Sequence, residues 1–374
     1  MIQNKEKYIL DSHKLLFHMD RVKDLLDGKR VAPITIDWAL TQRCPYNCVY
    51  CFSHAHQTNT GGINRKSALH FLDDCAELGV KSTSLVSDGE STIVPFFYET
   101  VKHGKDLGID MALGTCGFPL KKEKLRELLP SLTYLRFNIS AGEPKRYAEI
   151  HGVPEKYYHK VIDIIKSCVE IKKENGMAVT IGLQMVLMPE FADQILPLTK
   201  LGKELGVDYT VIKHCSDDET GSIGVNYDKY KALYPLIEKA ESYTTNKYLV
   251  KAKWSKIKAG RERGYGQCFA PPIMLQISGT GIMAPCGSFF SEKYKKYHIG
   301  NINKERFRDL IKTDRYWEVM RLISTEPFDT RKDCACLCLQ DKANEFLWGL
   351  KKGLISLEDC KPDYQNIPPH VNFV

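Results

Sequence analysis

Three cysteines near residue 44 have the spacing of a metal-binding loop. Cys44, Cys48 and Cys51 are separated by three and then two residues. In a cytosolic chain thiols stay reduced, so clustered cysteines indicate metal or redox chemistry rather than disulfides. Zinc sites usually pair two ligands and find two more far away, whereas a cubic cluster takes cysteine thiolates. The loop therefore favours a 4Fe-4S cluster with one iron open to an exchangeable ligand, and zinc is the alternative.

Strands that alternate with helices must position this loop. We predict strands over residues 34–41, 80–87, 109–115, 133–140, 177–187 and 207–213, and helices over 9–27, 67–78, 94–107, 122–129, 157–175 and 190–205. The first strand leads directly into the cysteine loop. Six strand–helix units predict an α/β fold with a parallel sheet, here a partial (β/α)6 barrel. Chemistry in such folds collects at the carboxyl ends of the strands.

Polar residues crowd these strand ends. Arg136, Asn138 and Ser140 alternate with apolar residues on one strand, so that strand has a polar face. Cys116 and Cys215 are expected at the mouth of the barrel, where a thiol could donate a hydrogen atom because its S–H bond is weak. A spare buried thiol is the simpler explanation for each.

The cysteine spacing, with Tyr50 before the last cysteine, resembles the signature of the radical S-adenosylmethionine (SAM) superfamily over residues 34–215. The resemblance implies a 4Fe-4S cluster whose open iron binds SAM. It also implies reductive cleavage of SAM to a 5′-deoxyadenosyl radical that abstracts a substrate hydrogen. A low-potential electron donor of the flavodoxin or ferredoxin type is implied as a partner.

Further motifs are similar to those of this family. Asp88-Gly89-Glu90-Ser91 resembles its Gly-Gly-Glu-Pro motif, which implies that Gly89 and Glu90 bind the methionine amino group, although the first Gly and the Pro differ. Thr115-Cys116-Gly117 resembles its Thr-Asn-Gly, with Cys in place of Asn. The remaining candidates to bind SAM are Tyr50, Thr115, Arg136, Asn138, Ser140 and Gln184. Each polar group among them could equally be a satisfied interior group.

A second group of cysteines resembles the auxiliary-cluster extension called SPASM, or its shorter form, the twitch. The group comprises Cys268, Cys286, Cys334, Cys336 and Cys338. It has too few cysteines for two auxiliary clusters, so the resemblance implies one auxiliary 4Fe-4S cluster held by Cys268, Cys286 and two of the last three. Zinc is the alternative, since four thiolates also suit it. We expect a helical lead-in at 1–33, the barrel at 34–215, a linker and helical connection at 216–267, a small α+β auxiliary domain at 268–352 and a tail at 353–374.

Composition narrows the class of protein and of substrate. The net charge of +7 is mild for 374 residues, which makes nucleic acid an unlikely partner. The basic segment at 251–263 could bind a substrate phosphate or be a solvated face. No apolar run approaches the ~20 residues of a membrane span, and the N-terminus lacks the apolar core of a signal peptide, so a cytoplasmic location is expected.

The length before the first strand bears on the substrate. Only about 33 residues precede that strand, which leaves no room for the N-terminal peptide-recognition domain that peptide-modifying relatives often carry. We therefore expect a small-molecule substrate, a sugar or nucleotide-linked compound, that is dehydrogenated or epimerised. Modification of a peptide or protein is the alternative, and a non-catalytic metal- or nucleic-acid-binding module is a remote one.

Overall fold

The computed structural model describes residues 7–52, 61–335 and 338–374. Its strands are β1 (Thr35–Trp38), β2 (Ser82–Leu85), β3 (Asp110–Thr115), β4 (Tyr134–Asn138), β5 (Thr180–Leu187), β6 (Tyr209–His214), β7 (Leu249–Ala252), β8 (Met274–Ile277), β9 (Ile282–Ala284) and β10 (Gly300–Asn301). They form one sheet in the order β10-β9-β8-β1-β2-β3-β4-β5-β6-β7. Within the described ranges no ladder joins β7 to β10, so the barrel is open.

All neighbouring strands from β8 through β1 to β7 run parallel. Parallel neighbours need crossover connections, and helices supply them. The helices are α1 (Met19–Leu26), α2 (Arg65–Leu78), α3 (Phe97–Asp106), α4 (Leu125–Leu128), α5 (Pro144–His151), α6 (Lys156–Glu174), α7 (Ile195–Leu205), α8 (Tyr234–Glu241), α9 (Trp254–Ala259), α10 (Phe307–Leu310), α11 (Asp314–Ser324), α12 (Thr330–Asp333) and α13 (Asp341–Lys351). The predicted partial barrel is confirmed.

A polar side chain and a glycine mark the two ends of α2. The Asn64 side chain accepts a hydrogen bond from the Ser67 backbone N–H at the start of α2, and Gly79 ends that helix in the left-handed region. Short 3-10 segments extend or precede several helices, as at Leu15–His18 and Pro189–Gln194. In the described part of the chain, no helix has the length and apolar content that a bilayer crossing requires.

The stretch after β6 departs from the predicted linker. Strand β7 pairs with β6 in parallel, and α9 follows it, so much of the basic segment at 251–263 belongs to the barrel. Lys256 is buried within α9. The predicted linker and helical connection at 216–267 did not include this strand, because Lys251 alternates along it with residues that the sheet buries.

The C-terminal hairpin extends the same sheet. Strand β8 pairs in parallel with β1, and β9 and β10 follow in antiparallel order. Cys268 precedes this hairpin and Cys286 follows it, so these two cysteines of the second group flank strands that are continuous with the barrel.

The tail, predicted as irregular, closes the end of the barrel opposite the cysteine loop. Phe373 packs edge-on against Tyr134, with ring centroids 4.9 Å apart. The Lys14 ammonium donates to the backbone carbonyl of Phe373 at 2.7 Å. His370 is buried between the rings of Tyr8 and Tyr134. The last residues of the tail, 370–373, therefore pack against the barrel although they form no helix or strand.

Candidate active site

A cavity of about 350 Å³ lies at the carboxyl ends of the barrel strands. A ligand pocket of this size is in the range that takes a small organic molecule. Among the residues that line it are Cys44, Cys48, Tyr50, Cys51, Gly89, Glu90, Cys116, Arg136, Asn138, Gln184, Lys213, Lys256, Cys286 and Cys338. Residues predicted from separate strand ends are thus brought together around one space.

The end of α5 holds the three-cysteine loop. The backbone N–H of Asn47 donates to the carbonyl of His151 at 3.1 Å, and that of Val49 donates to Ile150 at 3.0 Å. The last carbonyls of a helix have no partner within it, so the loop satisfies groups that would otherwise be orphaned. Gly152 ends α5 with φ of +60°, and a Cβ there would lie less than 3.0 Å from the Asn47 carbonyl oxygen. The close approach of helix and loop therefore requires glycine.

His151 connects this loop to the fourth strand. The Ser140 N–H donates to His151 Nε2 at 3.1 Å, so the ring proton is on Nδ1. Nδ1 lies 3.2 Å from the Cys48 sulfur and 3.4 Å from the Tyr50 hydroxyl. Burial lowers the pKa of His151 to about 3, so the ring is neutral. The sequence has no spacing signal for this contact, because the two residues are 103 positions apart.

Glu90 is held by hydrogen bonds from the loop after β2 and the end of β3. One carboxylate oxygen accepts from the Thr92 N–H at 3.2 Å, the Thr92 hydroxyl at 2.6 Å and the Thr115 hydroxyl at 2.9 Å. The other accepts from the Cys116 N–H at 2.7 Å. These hydrogen bonds hold the carboxylate at the wall of the cavity, which Glu90 lines.

The two departures next to Glu90 have different structural settings. Asp88 replaces the first glycine of the motif, is buried, and accepts hydrogen bonds from the Gln42 side chain at 2.7 Å and from the Gly279 N–H. It therefore fastens the motif loop to the turn between β8 and β9. Gly89 has φ of +78° and packs on Thr41, where a Cβ would collide with the backbone. Ser91 stands in place of the proline of the motif, and its hydroxyl accepts a hydrogen bond from the Leu40 N–H at 3.1 Å.

The other predicted SAM-binding side chains fall into two groups. Gln184 donates to Asn138 at 2.8 Å, and both line the cavity together with Tyr50 and Arg136. Thr115 and Ser140 are buried behind the lining, where Thr115 supports Glu90.

Ser140 has a supporting position as well. Its hydroxyl accepts from the Val186 N–H at 3.1 Å, which links β4 to β5.

The two thiols predicted at the mouth differ in position. Cys116 lines the cavity beside Glu90, and burial, with the Glu90 carboxylate, holds the pKa of its thiol well above the usual value. It therefore keeps its S–H proton. Cys215 is fully buried behind β6 and is not among the described residues that line the cavity.

Three basic side chains line the cavity on the side of β4, β6 and α9. They are Arg136, Lys213 and Lys256. Burial, together with the charges of Arg136 and Lys256, lowers the pKa of Lys213 to about 7. Lys253 lies nearby. Burial, together with the charges of Lys256, Arg136 and Lys213, lowers its pKa well below the usual value. Arg136 is 77 positions before Lys213, and Lys213 is 43 before Lys256, so their convergence had no signal in the sequence beyond the polar strand ends.

Four cysteines of the second group surround a smaller, enclosed cavity. Cys268, Cys286, Cys334 and Cys338 line it, and Cys286 and Cys338 line the main cavity as well. The fifth candidate ligand, Cys336, lies outside the described residues. Four thiols are a complete ligand set for a cubic cluster.

Two basic residues border this smaller site. Arg263 Nη2 donates to the Ala335 carbonyl, and its charge acts on Cys334 and Cys338. Lys256 Nζ donates to the Cys338 carbonyl while lining the main cavity. Lys256 thus connects the two cavities.

Comparisons with known proteins agree with both cysteine sites. A family model described as the radical SAM superfamily matches residues 38–201, and one described as SPASM, an iron–sulfur cluster-binding domain, matches 268–339. The tungsten-containing aldehyde ferredoxin oxidoreductase cofactor-modifying protein of Pyrococcus furiosus is 22% identical, over 79% of this chain and 85% of its own. The AdoMet-dependent heme synthase of Methanosarcina barkeri is 25% identical, over 75% and 82%.

Solved structures show the same fold. Streptococcus suis SuiB bound to precursor peptide SuiA superposes with a TM-score of 0.63 at 16% identity, covering 84% of this chain and 74% of its own.

Proposed function

The chain belongs to the radical SAM superfamily and carries a SPASM domain, and from that premise we propose that it oxidises a small organic molecule bound between its two cysteine sites. The observation that carries the proposal is the shared cavity: the three-cysteine loop lines it, and so do Cys286 and Cys338 of the auxiliary site. When bound, the 4Fe-4S clusters and SAM supply the radical chemistry and a second redox centre.

The chain's own residues bind and orient the reactants. Cys44, Cys48 and Cys51 would hold the SAM-binding cluster, which suits a loop pinned to α5. Glu90 lines the cavity beside this loop, and a carboxylate in that place suits the amino group of SAM. Asn138 and Gln184 present their amides to the same cavity and would orient the cofactor's polar groups.

The position of Cys116 favours oxidation over epimerisation. A thiol that returns a hydrogen atom in an epimerisation must stand on the face of the substrate opposite to SAM. Cys116 instead lies beside Glu90, the residue proposed to hold SAM, and Cys215 is not part of the described lining. Dehydrogenation is therefore the better supported of the two reactions.

Two relatives support a small molecule as the substrate. Those that match over three quarters of the chain or more are named for the synthesis of heme and for the modification of an enzyme cofactor. Modification of a peptide is the second candidate, since a neighbour of the same fold was solved with a precursor peptide bound. In this proposal the protein works in the cytoplasm and receives electrons from a flavodoxin or a ferredoxin.

Anaerobic reconstitution followed by turnover tests this function. Wild-type protein should bind about eight irons, as two cubic clusters require, and should form 5′-deoxyadenosine under reduction. Cys44→Ala should keep about four irons and form none of this product. Cys168→Ala is the matched control, because Cys168 is buried outside both cysteine sites.

The substrate is identified by deuterium transfer. Candidate deuterated metabolites and peptides are incubated with enzyme, SAM and reductant, and deuterium is followed into 5′-deoxyadenosine. Transfer from a metabolite would support the proposal, and transfer only from a peptide would replace it with the second candidate. Wild-type protein that holds about eight irons yet forms no 5′-deoxyadenosine would contradict both.

A further inference from the structure

The basic residues of the cavity are not matched by acidic ones. Arg136, Lys213, Lys253 and Lys256 lie close enough together for neighbouring positive charges in this cluster to lower the pKa of Lys213 and of Lys253. None of them forms an ion pair with a described carboxylate, and the Arg136 Nε has no hydrogen-bond partner although it is buried. Buried charges are costly unless paired, so such a cluster calls for anionic partners that the chain itself does not supply.

Asp88 and Glu90 line the cavity at the end of β2, and a third carboxylate, on β1, acts on the basic cluster. Asp37 on β1 is half-buried and lies within electrostatic reach of Arg136. Burial raises the pKa of Asp37 to about 6, although a hydrogen bond from Ser84 and the charge of Arg136 oppose this. Asp11 reaches Lys253 from outside the cavity and is hydrogen-bonded to Ser255. Within the described ranges, therefore, no Asp or Glu forms an ion pair with Lys213 or Lys256, which both line the cavity.

The carboxylate of SAM does not account for these two lysines. The amino and carboxylate groups of SAM share one carbon atom, so both stay near whichever residue binds the amino group, for which we proposed Glu90. Strand β6, which carries Lys213, is four places from β2 in the sheet, and each step is about 4.8 Å. Arg136, on β4, is only two places away and remains the candidate for the carboxylate of SAM.

We propose that Lys213 and Lys256 form a binding site for an acidic group of the substrate, a carboxylate or a phosphate. The proposal rests on the proposed function, because it assigns the substrate to the cavity between the two cysteine sites. Lysine suits this role as a compact charge with three donors, and both anions accept charge-assisted hydrogen bonds. Since Lys256 also donates to the Cys338 carbonyl, the acidic group would lie on the auxiliary side of the cavity.

Calorimetry with probe anions tests this site. The enzyme is reconstituted with both clusters, saturated with SAM and titrated with citrate or with pyrophosphate. Wild type should bind at least one of them, and the choice identifies carboxylate or phosphate as the preferred group. Lys213→Gln and Lys256→Gln should each weaken that binding about tenfold or more, as expected for a hydrogen bond to a charged group. Lys258→Gln is the matched control, since Lys258 is exposed on the same helix and should change affinity less than about twofold.

Measurements of iron content and SAM affinity make the result decisive. No hydrogen bond in the described ranges joins Lys213 to a cysteine of either set, so its variant should retain both clusters and should bind SAM as wild type does. The proposal is overturned if wild type binds neither anion, if Lys213→Gln binds them as wild type does, or if that variant loses SAM affinity instead. Formation of 5′-deoxyadenosine is measured separately: wild type that forms it without binding either anion refutes this site and leaves the proposed function standing.

Discussion

Replacing Gly152 with alanine should displace the three-cysteine loop. Gly152 has φ of +60°, and an added methyl group would lie less than 3.0 Å from the Asn47 carbonyl oxygen and 3.0 Å from its carbonyl carbon. Carbon atoms pack at about 3.5–4.0 Å, so the loop or the helix end must move. The collision falls between Cys44 and Cys48, on backbone that positions both thiols.

Gly176 provides the matched control for this substitution. It follows α6 with φ of +58°, and a Cβ there meets nothing within 4 Å. Gly176→Ala should therefore cost only the left-handed strain of a non-glycine residue, about 1–2 kcal/mol. Gly152→Ala carries the same strain plus the collision, and overpacking typically adds about 1–3 kcal/mol.

Thermal unfolding of the metal-free proteins and iron content after reconstitution measure the two effects. Gly152→Ala should unfold at a lower temperature than Gly176→Ala, and its iron should fall from about eight towards about four, because only the auxiliary thiols remain in place. Gly176→Ala should keep its full iron content. Equal unfolding temperatures and equal iron in the two variants would refute the view that the end of α5 positions the cysteine loop.

Three further predictions concern the contacts around the barrel. Asp88→Ala should lower the free energy of unfolding by about 2–4 kcal/mol, because it removes the hydrogen bonds that Asp88 accepts from the Gly279 N–H and the Gln42 side chain, while Asp88→Asn should cost less than half as much in the same denaturant titration. Phe373→Ala should cost about 3–5 kcal/mol in that assay, and an equally stable variant would show that the tail does not pack under the barrel. The affinity of wild type for its probe anion should fall as the pH rises through about 7, because Lys213, faced by Arg136 and Lys256 and two residues from Cys215, loses its proton there. In calorimetry at several pH values Lys213→Gln should lack this step.

The barrel and its cysteine loop could be predicted because their signals are local. The apolar residues of each strand and helix recur with the period of that element, and three thiols within eight residues indicate a set of metal ligands. Glu90 followed from a motif of four residues at a strand end. The missed elements lack such signals: α5 is short, and β7 is four residues long within a lysine-rich stretch.

The contacts that support the site could not be predicted in the same way. Asp88 looked like a departure from a glycine motif, yet it binds a turn 191 positions away. His151 reaches Cys48 across 103 positions. Neither residue type nor spacing distinguishes these side chains from ordinary surface acids and histidines, since their partners are set by the order and curvature of the sheet.

The sequence by itself determined the chemistry: a three-thiol loop, a carboxylate at the next strand end and a second set of cysteines, each encoded within a short stretch. Only the tertiary structure decided that Cys286 and Cys338 share a cavity with the first loop, and that Lys213 and Lys256 line it without acidic partners. Covalent spacing limits which thiols can bind one cluster, whereas the meeting of β6, α9 and the hairpin depends on how the open sheet curls and packs. That packing places basic residues from distant parts of the chain around one substrate-sized space.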